Sequence, residues 1–236
     1  MHIENEVKEV IVLHKIENNI EEMHVFKEIT VNDQSDQVQT TTLDYYEKNG
    51  DLFAQDVDHV NFSKMQLRFI SKLPKQAKIL DLGCGSGRDS LAFLNAGFDV
   101  EAIDGSKKMC EIAQSKTGLS VRNIRFGQLD DQNKYDGVWA CASLLHLPKN
   151  ELPKVFSKII EALKEEGIFY SSFKYGSFEG YRNGRYFSDF TESSMNELLE
   201  QFPELKCIES WISSDVRSGR MEQKWLNIIV QKQTKS

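Results

Sequence analysis

Several features that would settle a protein's class at once are scarce in this chain. Only four of its 236 residues are cysteine (Cys84, Cys110, Cys141, Cys207). They are scattered, with no C-x-x-C pair and no histidine at ligand spacing, so neither a metal site nor a disulfide framework is expected, and reduced thiols point to a cytoplasmic setting. No apolar run approaches membrane-spanning length, and Glu4, Glu6 and Glu9 stand where an export signal needs a basic stretch followed by an apolar one. A membrane partner is therefore not expected. Basic charge is not in surplus either. The net charge is −7, with 14 acidic and 4 basic side chains in residues 1–60 against 22 acidic and 25 basic in residues 61–236. A duplex-sized nucleic-acid footprint calls for a stronger basic excess than that. A small-molecule substrate is expected, with a homodimer left open.

What is present suffices for one α/β core, since 40% of the residues are hydrophobic. The expected division is an N-terminal extension over residues 1–42 and a catalytic domain over 43–236. Within the extension, residues 7–16 and 23–31 are β-branched and apolar around Glu17-Asn18-Asn19, which predicts a hairpin. Residues 32–42 are almost devoid of apolar side chains and read as a linker. Helices are expected from Leu43 onward and over 62–73. Strands follow at 78–82, 99–103, 121–126, 135–140 and 168–173, with helices between several of them, the pattern of a doubly wound parallel sheet. The clearest helix follows Asn150, with Leu152, Val155, Phe156, Ile159, Ile160 and Leu163 at helical spacing, Asn150 as its cap and Gly167 as its stop. A last helix over 191–201 precedes two strands, 205–212 and 225–230, that suit an antiparallel hairpin at the sheet edge.

The chemistry begins at Asp81-Leu82-Gly83-Cys84-Gly85-Ser86-Gly87, where a strand runs into three alternate glycines and then a helix. A strand that turns sharply while its backbone touches a ligand needs residues without Cβ, and the following helix offers unpaired N–H groups. The spacing is G-x-G-x-G, one residue shorter than the dinucleotide fingerprint, and Asp81 precedes the first glycine by two positions. A carboxylate there repels a pyrophosphate but suits the ammonium of an amino-acid moiety. Asp104 ends the second strand 23 residues after Asp81, where an acid can accept hydrogen bonds from both ribose hydroxyls. The competing reading is a helix cap beside an ordinary tight turn.

Together with Asp104, this motif resembles motif I and the following acid of the class I S-adenosylmethionine (SAM)-dependent methyltransferases. The resemblance covers roughly residues 43–232. Through Gly87-Arg88-Asp89-Ser90 and Trp139-Ala140-Cys141-Ala142-Ser143-Leu144-Leu145-His146 it looks closest to the small bacterial UbiE and tellurite-resistance type. It implies a Rossmann-like sheet of seven strands, mostly parallel with an antiparallel last strand, SAM as cofactor and S-adenosylhomocysteine (SAH) as product. The cofactor-binding residues it implies are Asp81, Gly83, Cys84, Gly85, Ser86, Gly87, Asp104, Gly105, Ser106, Met109, Gln128, Leu129 and Ala140. Position 128 is usually acidic in the family; glutamine still offers an amide oxygen to the adenine amino group, or is simply an exposed loop residue.

Methyl transfer from a sulfonium is an in-line displacement, so the protein mainly has to place a nucleophile. His146, just past the fourth strand, is the candidate base, titrating near neutrality; a packing role is the alternative. An Asn/Asp-Pro-Pro-aromatic run for exocyclic amines is missing at 141–144, and Cys141 has no activating neighbour. Oxygen, sulfur, metalloid and flexible amine acceptors remain. The stretch from Lys174 to Phe187 mixes glycines, aromatics and cations and reads as a lid loop, joined by the patch from Asp215 to Arg220. Tyr45, Lys174, Tyr175, Arg182, Arg185, Arg217 and Arg220 are thus candidates to hold an anionic or planar acceptor, unless Asp189, Asp215 and Glu222 neutralise the cations. The leading expectation is a methyltransferase for a small, anionic molecule; an RNA or tRNA methyltransferase and a non-catalytic SAM-binding assembly protein are the alternatives.

Overall fold

A computed structural model describes residues 31–217 and 219–234. The expected N-terminal hairpin lies outside them, save for Val31, which opens helix α1 (Val31–Asp58). Residues 32–42 are therefore helical where a linker was expected. Thr42, Leu43, Tyr46, Gly50, Phe53, Ala54 and Val57 form a partly or fully buried stripe at helical spacing. At Gly50 an added Cβ would lie 2.7 Å from Lys108 Cγ, so the stripe is docked closely on the body of the protein. A helix anchored by such a face propagates into polar residues, each adding a backbone bond without a new nucleus.

The elements that follow are α2 (Ser63–Ile70), β1 (Lys78–Leu82), α3 (Arg88–Asn95), β2 (Asp99–Asp104), α4 (Lys107–Thr117), β3 (Arg122–Asn123), β4 (Tyr135–Ala140), α5 (Leu152–Ala162) and β5 (Leu163–Lys174). The chain then forms β6 (Glu179–Arg182), β7 (Arg185–Ser188), α6 (Glu192–Leu199), β8 (Leu205–Ser214) and β9 (Lys224–Lys232). Seven strands make one sheet in the order β3-β2-β1-β4-β5-β9-β8, parallel from β3 to β5, with β9 antiparallel to both its neighbours. The doubly wound α/β sheet expected from the sequence is thus present.

Alternate residues of the central strands feed two cores. Leu80, Val138, Phe169, Ile228 and Val230 pack with α5 and α6 on one face, while Ile79, Trp139, Tyr170 and Ile229 pack with Phe69 of α2 and Phe93 of α3 on the other. With both faces covered, adjacent residues of β1 (Ile79, Leu80) and of β4 (Val138, Trp139) are both apolar and buried. On the second face Trp139 stacks on Tyr170, ring centroids 4.0 Å apart.

Four local expectations are corrected. β3 is only two residues long, because the chain then turns through a 3-10 turn at Phe126–Gln128, where Gln128 Oε1 accepts the Arg125 amide at 2.8 Å. Asn150 does not cap α5; Glu151 holds that position with no side-chain bond. Gly167 does not end α5 either. The helix passes straight into β5, and the amides of Asn133 and Lys134 take the carbonyls of Glu161 and Ala162 at 2.8 and 2.9 Å. Lastly, the lid loop is a hairpin, β6–β7, turning at Asn183 (φ 50°) and Gly184 (φ 78°), the left-handed pair of a type I′ turn.

Candidate cofactor and acceptor site

The sheet reverses its winding between β1 and β4, where open α/β folds bind ligands at the carboxyl ends of the strands. The glycine loop sits there. Gly83 has φ 79°, and a Cβ on it would lie 2.5 Å from Ser143 Cβ, in the loop after β4. Ser143 Oγ in turn donates to the Leu82 carbonyl at 2.7 Å, so the β1 and β4 exits are locked face to face. Gly85 (φ 54°) has open space where its Cβ would be, the nearest atom being Phe53 Cε1 at 3.7 Å. Gly87 serves packing: its Cβ would meet Ala113 of α4 at 3.0 Å.

The loop's own amides are committed. Those of Gly83 and Cys84 donate to the Ile103 carbonyl at 2.9 and 3.0 Å, and that of Gly85 to Asp104 Oδ2 at 2.9 Å. Asp104 Oδ1 accepts the Ser106 amide, also at 2.9 Å. Asp104 therefore holds the loop and the start of α4 while still facing the cavity, and Ser106 Oγ is the side-chain cap of α4. Burial pushes the Asp104 carboxyl up to about 6. Asp81, 2% exposed, accepts a bond from Ser90 Oγ at 2.6 Å, and burial together with the nearby Asp89 raises its pKa. Asp89 is charged; Arg88 grips it with two 2.9 Å bonds, and Trp139 Nε1 and Gln66 Nε2 donate to it at 2.9 and 2.7 Å.

A cavity of about 870 Å³ opens from this cradle toward β6–β7 and the β8–β9 connection. Of the expected cofactor residues, Asp81, Gly83, Cys84, Gly85, Ser86, Asp104, Gly105 and Met109 line it. Gly87, Ser106, Gln128, Leu129 and Ala140 are not among its lining residues. Gln128 is exposed with its oxygen turned back on Arg125, Leu129 and Ala140 are buried in the core, and Arg125 and Phe126 stand at the cavity instead. All seven candidate acceptor residues line it, and so do Tyr46, Phe53, Phe62, Arg88 and Asp89, which sequence reasoning left out of the site. The aromatic spacing Tyr45, Tyr46 and Phe53 was the available signal.

His146 lines the cavity but does not titrate near neutrality. Burial lowers its pKa to about 3, its Nδ1 lies 2.6 Å from the Tyr186 carbonyl, and its Nε2 lies 2.9 Å from Tyr46 Oη. A carbonyl only accepts, so Nδ1 carries the proton and Nε2 receives that of Tyr46. Cys141 is no nucleophile at neutral pH, its thiol pushed up to about 12 by burial. The cations divide. Arg182 makes two bonds to Asp189 (2.9 and 2.6 Å), Arg217 two to Asp215 (2.9 and 2.6 Å), and Arg220 approaches Asp56 at 3.6 Å. Arg185 has no carboxylate partner among the described residues, and its buried Nε bonds to nothing.

This fold and this loop-plus-acid cradle define a Rossmann-like domain for a nucleoside-bearing cofactor. Residues 79–167 match the family model described as "Methyltransferase domain". YqeM of Bacillus subtilis (strain 168), provisionally named a methyltransferase, is 33% identical over 141 residues, 55% of this chain and 57% of that protein. A similarly named protein of Geobacillus sp. (strain WCH70) is 35% identical over 113 residues, 42% of this chain and 46% of that one. The chain thus spans about half the length of these relatives. A Burkholderia thailandensis 1,6-didemethyltoxoflavin-N1-methyltransferase, solved with that compound and SAH, shares the fold with a TM-score of 0.69 at 18% identity over 99% of both chains. Residues 79–167 are thus similar to methyltransferase domains, and the chain shares its fold with SAM-dependent methyltransferases. These matches do not distinguish the UbiE and tellurite-resistance subtype from others.

Proposed function

We propose that this chain binds SAM in the cradle of Gly83, Gly85 and Asp104 and transfers its methyl group to a small, planar, anionic acceptor. The observation that carries the proposal is the continuity of one cavity, from that cradle to the aromatic and basic side chains of α1, β6–β7 and the β8–β9 connection. The chain's residues fit the cofactor. Gly85 leaves room where any other residue would put a Cβ, and the Asp104 oxygens, held by the Gly85 and Ser106 amides, retain acceptor capacity for the ribose hydroxyls. Asp81, a buried carboxyl with a raised pKa, is relieved by an arriving ammonium. Met109 and Gly105 would hold the adenine, with Arg125 and Phe126, which line the cavity, in the role expected of Gln128 and Leu129. When bound, SAM supplies an electrophilic methyl on a sulfonium.

The remaining residues hold the acceptor and keep water away. Tyr45, Tyr46 and Phe187 give flat apolar walls, and Arg185 supplies positive charge. His146, neutral and bonded through both nitrogens, orients Tyr46. Phosphate-rich RNA is not favoured, because Arg182, Arg217 and Arg220 each already hold an aspartate. No helix among the described residues is long and apolar enough to cross a membrane. The test is SAH release from SAM over a panel of aromatic carboxylates and phosphates. Acceptor-dependent release is expected; a protein that binds SAH yet releases none with any acceptor would contradict methyl transfer.

A further inference from the structure

Resting on that reading of the cavity, the cluster of Tyr46, His146 and Arg185 specifies what the acceptor must carry. Each comes from a different element: α1, the exit of β4, and β7. The Arg185 guanidinium lies over the rings of Tyr45, Phe187 and Tyr46, at 4.6, 5.3 and 5.7 Å from their centroids, and its Nη1 donates to Tyr46 Oη at 3.3 Å. A guanidinium among rings gains from their quadrupoles, yet a buried N–H without a partner is destabilising, and Arg185 Nε is such a group. Arg185 also lines the cavity and meets no carboxylate among the described residues, so its charge is left for an anionic oxygen that enters there.

Tyr46 adds a directional requirement. Because the Tyr186 carbonyl fixes the proton of His146 on Nδ1, Nε2 is bare, and the Tyr46 hydroxyl donates its only proton there. Arg185 occupies one lone pair of the same oxygen. What Tyr46 still offers the cavity is a lone pair without a proton, so it can accept a hydrogen bond and cannot give one. A ligand that satisfies both groups pairs an anionic oxygen with Arg185 and turns an O–H or N–H toward Tyr46. The rings of Tyr45, Tyr46 and Phe187 favour a flat body between them.

We infer that Tyr46 and Arg185 are the acceptor-recognition pair of this cavity, with His146 as a positioning residue behind Tyr46, and that the acceptor is a planar anion carrying a hydroxyl or amino group.

The experiment is calorimetry on the full chain, with and without saturating SAH, using 3-hydroxybenzoate and 6-hydroxy-2-naphthoate as probes against benzoate, phenol and 3-methoxybenzoate. At least one hydroxy acid should bind on the order of tenfold tighter than benzoate, phenol or the methoxy acid. Tyr46→Phe should erase the preference over benzoate. Arg185→Gln should erase the preference over phenol and weaken the hydroxy acid by on the order of tenfold or more. Arg185→Gln should bind SAH within about twofold of the wild type, because Arg185 touches Tyr45, Tyr46 and Phe187 and not the cofactor cradle. In His146→Phe the freed Tyr46 proton can donate, so 3-methoxybenzoate should approach the hydroxy acid in affinity, an inversion that mere loosening would not produce. Equal binding of benzoate and both hydroxy acids, no binding of either hydroxy acid, or variants that retain the wild-type preferences would overturn the assignment. Absence of SAH binding in the wild type would instead overturn the cofactor reading, and the titrations without SAH keep the two apart.

Discussion

Two glycines of one loop should fail in different ways when given a methyl group. In Gly83→Ala the new Cβ would lie 2.5 Å from Ser143 Cβ and 3.1 Å from the Phe126 ring, on a backbone with φ 79°. The left-handed conformation costs an L-residue about 1–2 kcal/mol. Pushing Ser143 away breaks its bond to the Leu82 carbonyl, adding about 1 kcal/mol. A loss of about 2–3 kcal/mol lowers the melting temperature of a chain this long by about 4–12 °C. In Gly85→Ala nothing needs to move, since the nearest atoms are Phe53 Cε1 at 3.7 Å and Met109 Cε at 4.0 Å. Only the backbone strain remains, about 2–8 °C. That methyl, however, projects into the cofactor cradle, and SAH affinity should fall about tenfold or more, roughly 1.4 kcal/mol. Thermal melts and calorimetry on the two variants check this. Refutation would come from a Gly83→Ala protein that melts like the wild type, or a Gly85→Ala protein that binds SAH like it.

Three further outcomes are expected. Because burial holds the Asp104 carboxyl at about 6, it is ionised above that pH and a full acceptor for hydroxyls only there; SAH affinity should rise from pH 5 to 7, and Asp104→Asn should lack the rise. A flat wild-type profile by calorimetry would contradict this. His146, held near 3 by burial, stays neutral across the working range, so pH–rate curves of the wild type and His146→Phe should show no difference in inflection between pH 5.5 and 8. Arg182→Ala strands Asp189, which is 4% exposed, and should lose about 2–4 kcal/mol, whereas Arg185→Ala leaves no carboxylate unpaired among the described residues and should change the melt by less than about 3 °C. Comparable melting losses in the two variants would contradict that division.

What the sequence shows plainly is what depends on neighbours in the chain. The strand, the glycine loop and Asp104 form one βαβ unit, and the adjacent apolar pairs Ile79-Leu80 and Val138-Trp139 follow from burial on both faces. The turn of β6–β7 was also in view, since Asn183-Gly184 between short arms is a strong hairpin signal; the mixed composition of residues 174–187 obscured it. The length of α1 was not legible, because its first turns are polar and its anchoring face begins at Thr42. The site's electrostatics were hidden for a different reason. Asp56 pairs with Arg217 across 161 residues, and Tyr46 meets His146 across 100, distances over which composition carries no information. His146 was placed correctly at the sheet edge, yet its ordinary titration was an assumption about exposure that Tyr46, Phe187 and Tyr186 remove.

The central claim is that the Gly83–Gly85 loop and Asp104 hold SAM, and calorimetry of wild-type protein and Asp104→Ala with SAH and with NAD tests it most directly. Micromolar SAH binding, about −8 kcal/mol, is expected of the wild type, with a loss on the order of 1–3 kcal/mol in Asp104→Ala and no NAD binding in either. Binding of NAD in place of SAH, or an Asp104→Ala protein that retains wild-type affinity, would contradict the account.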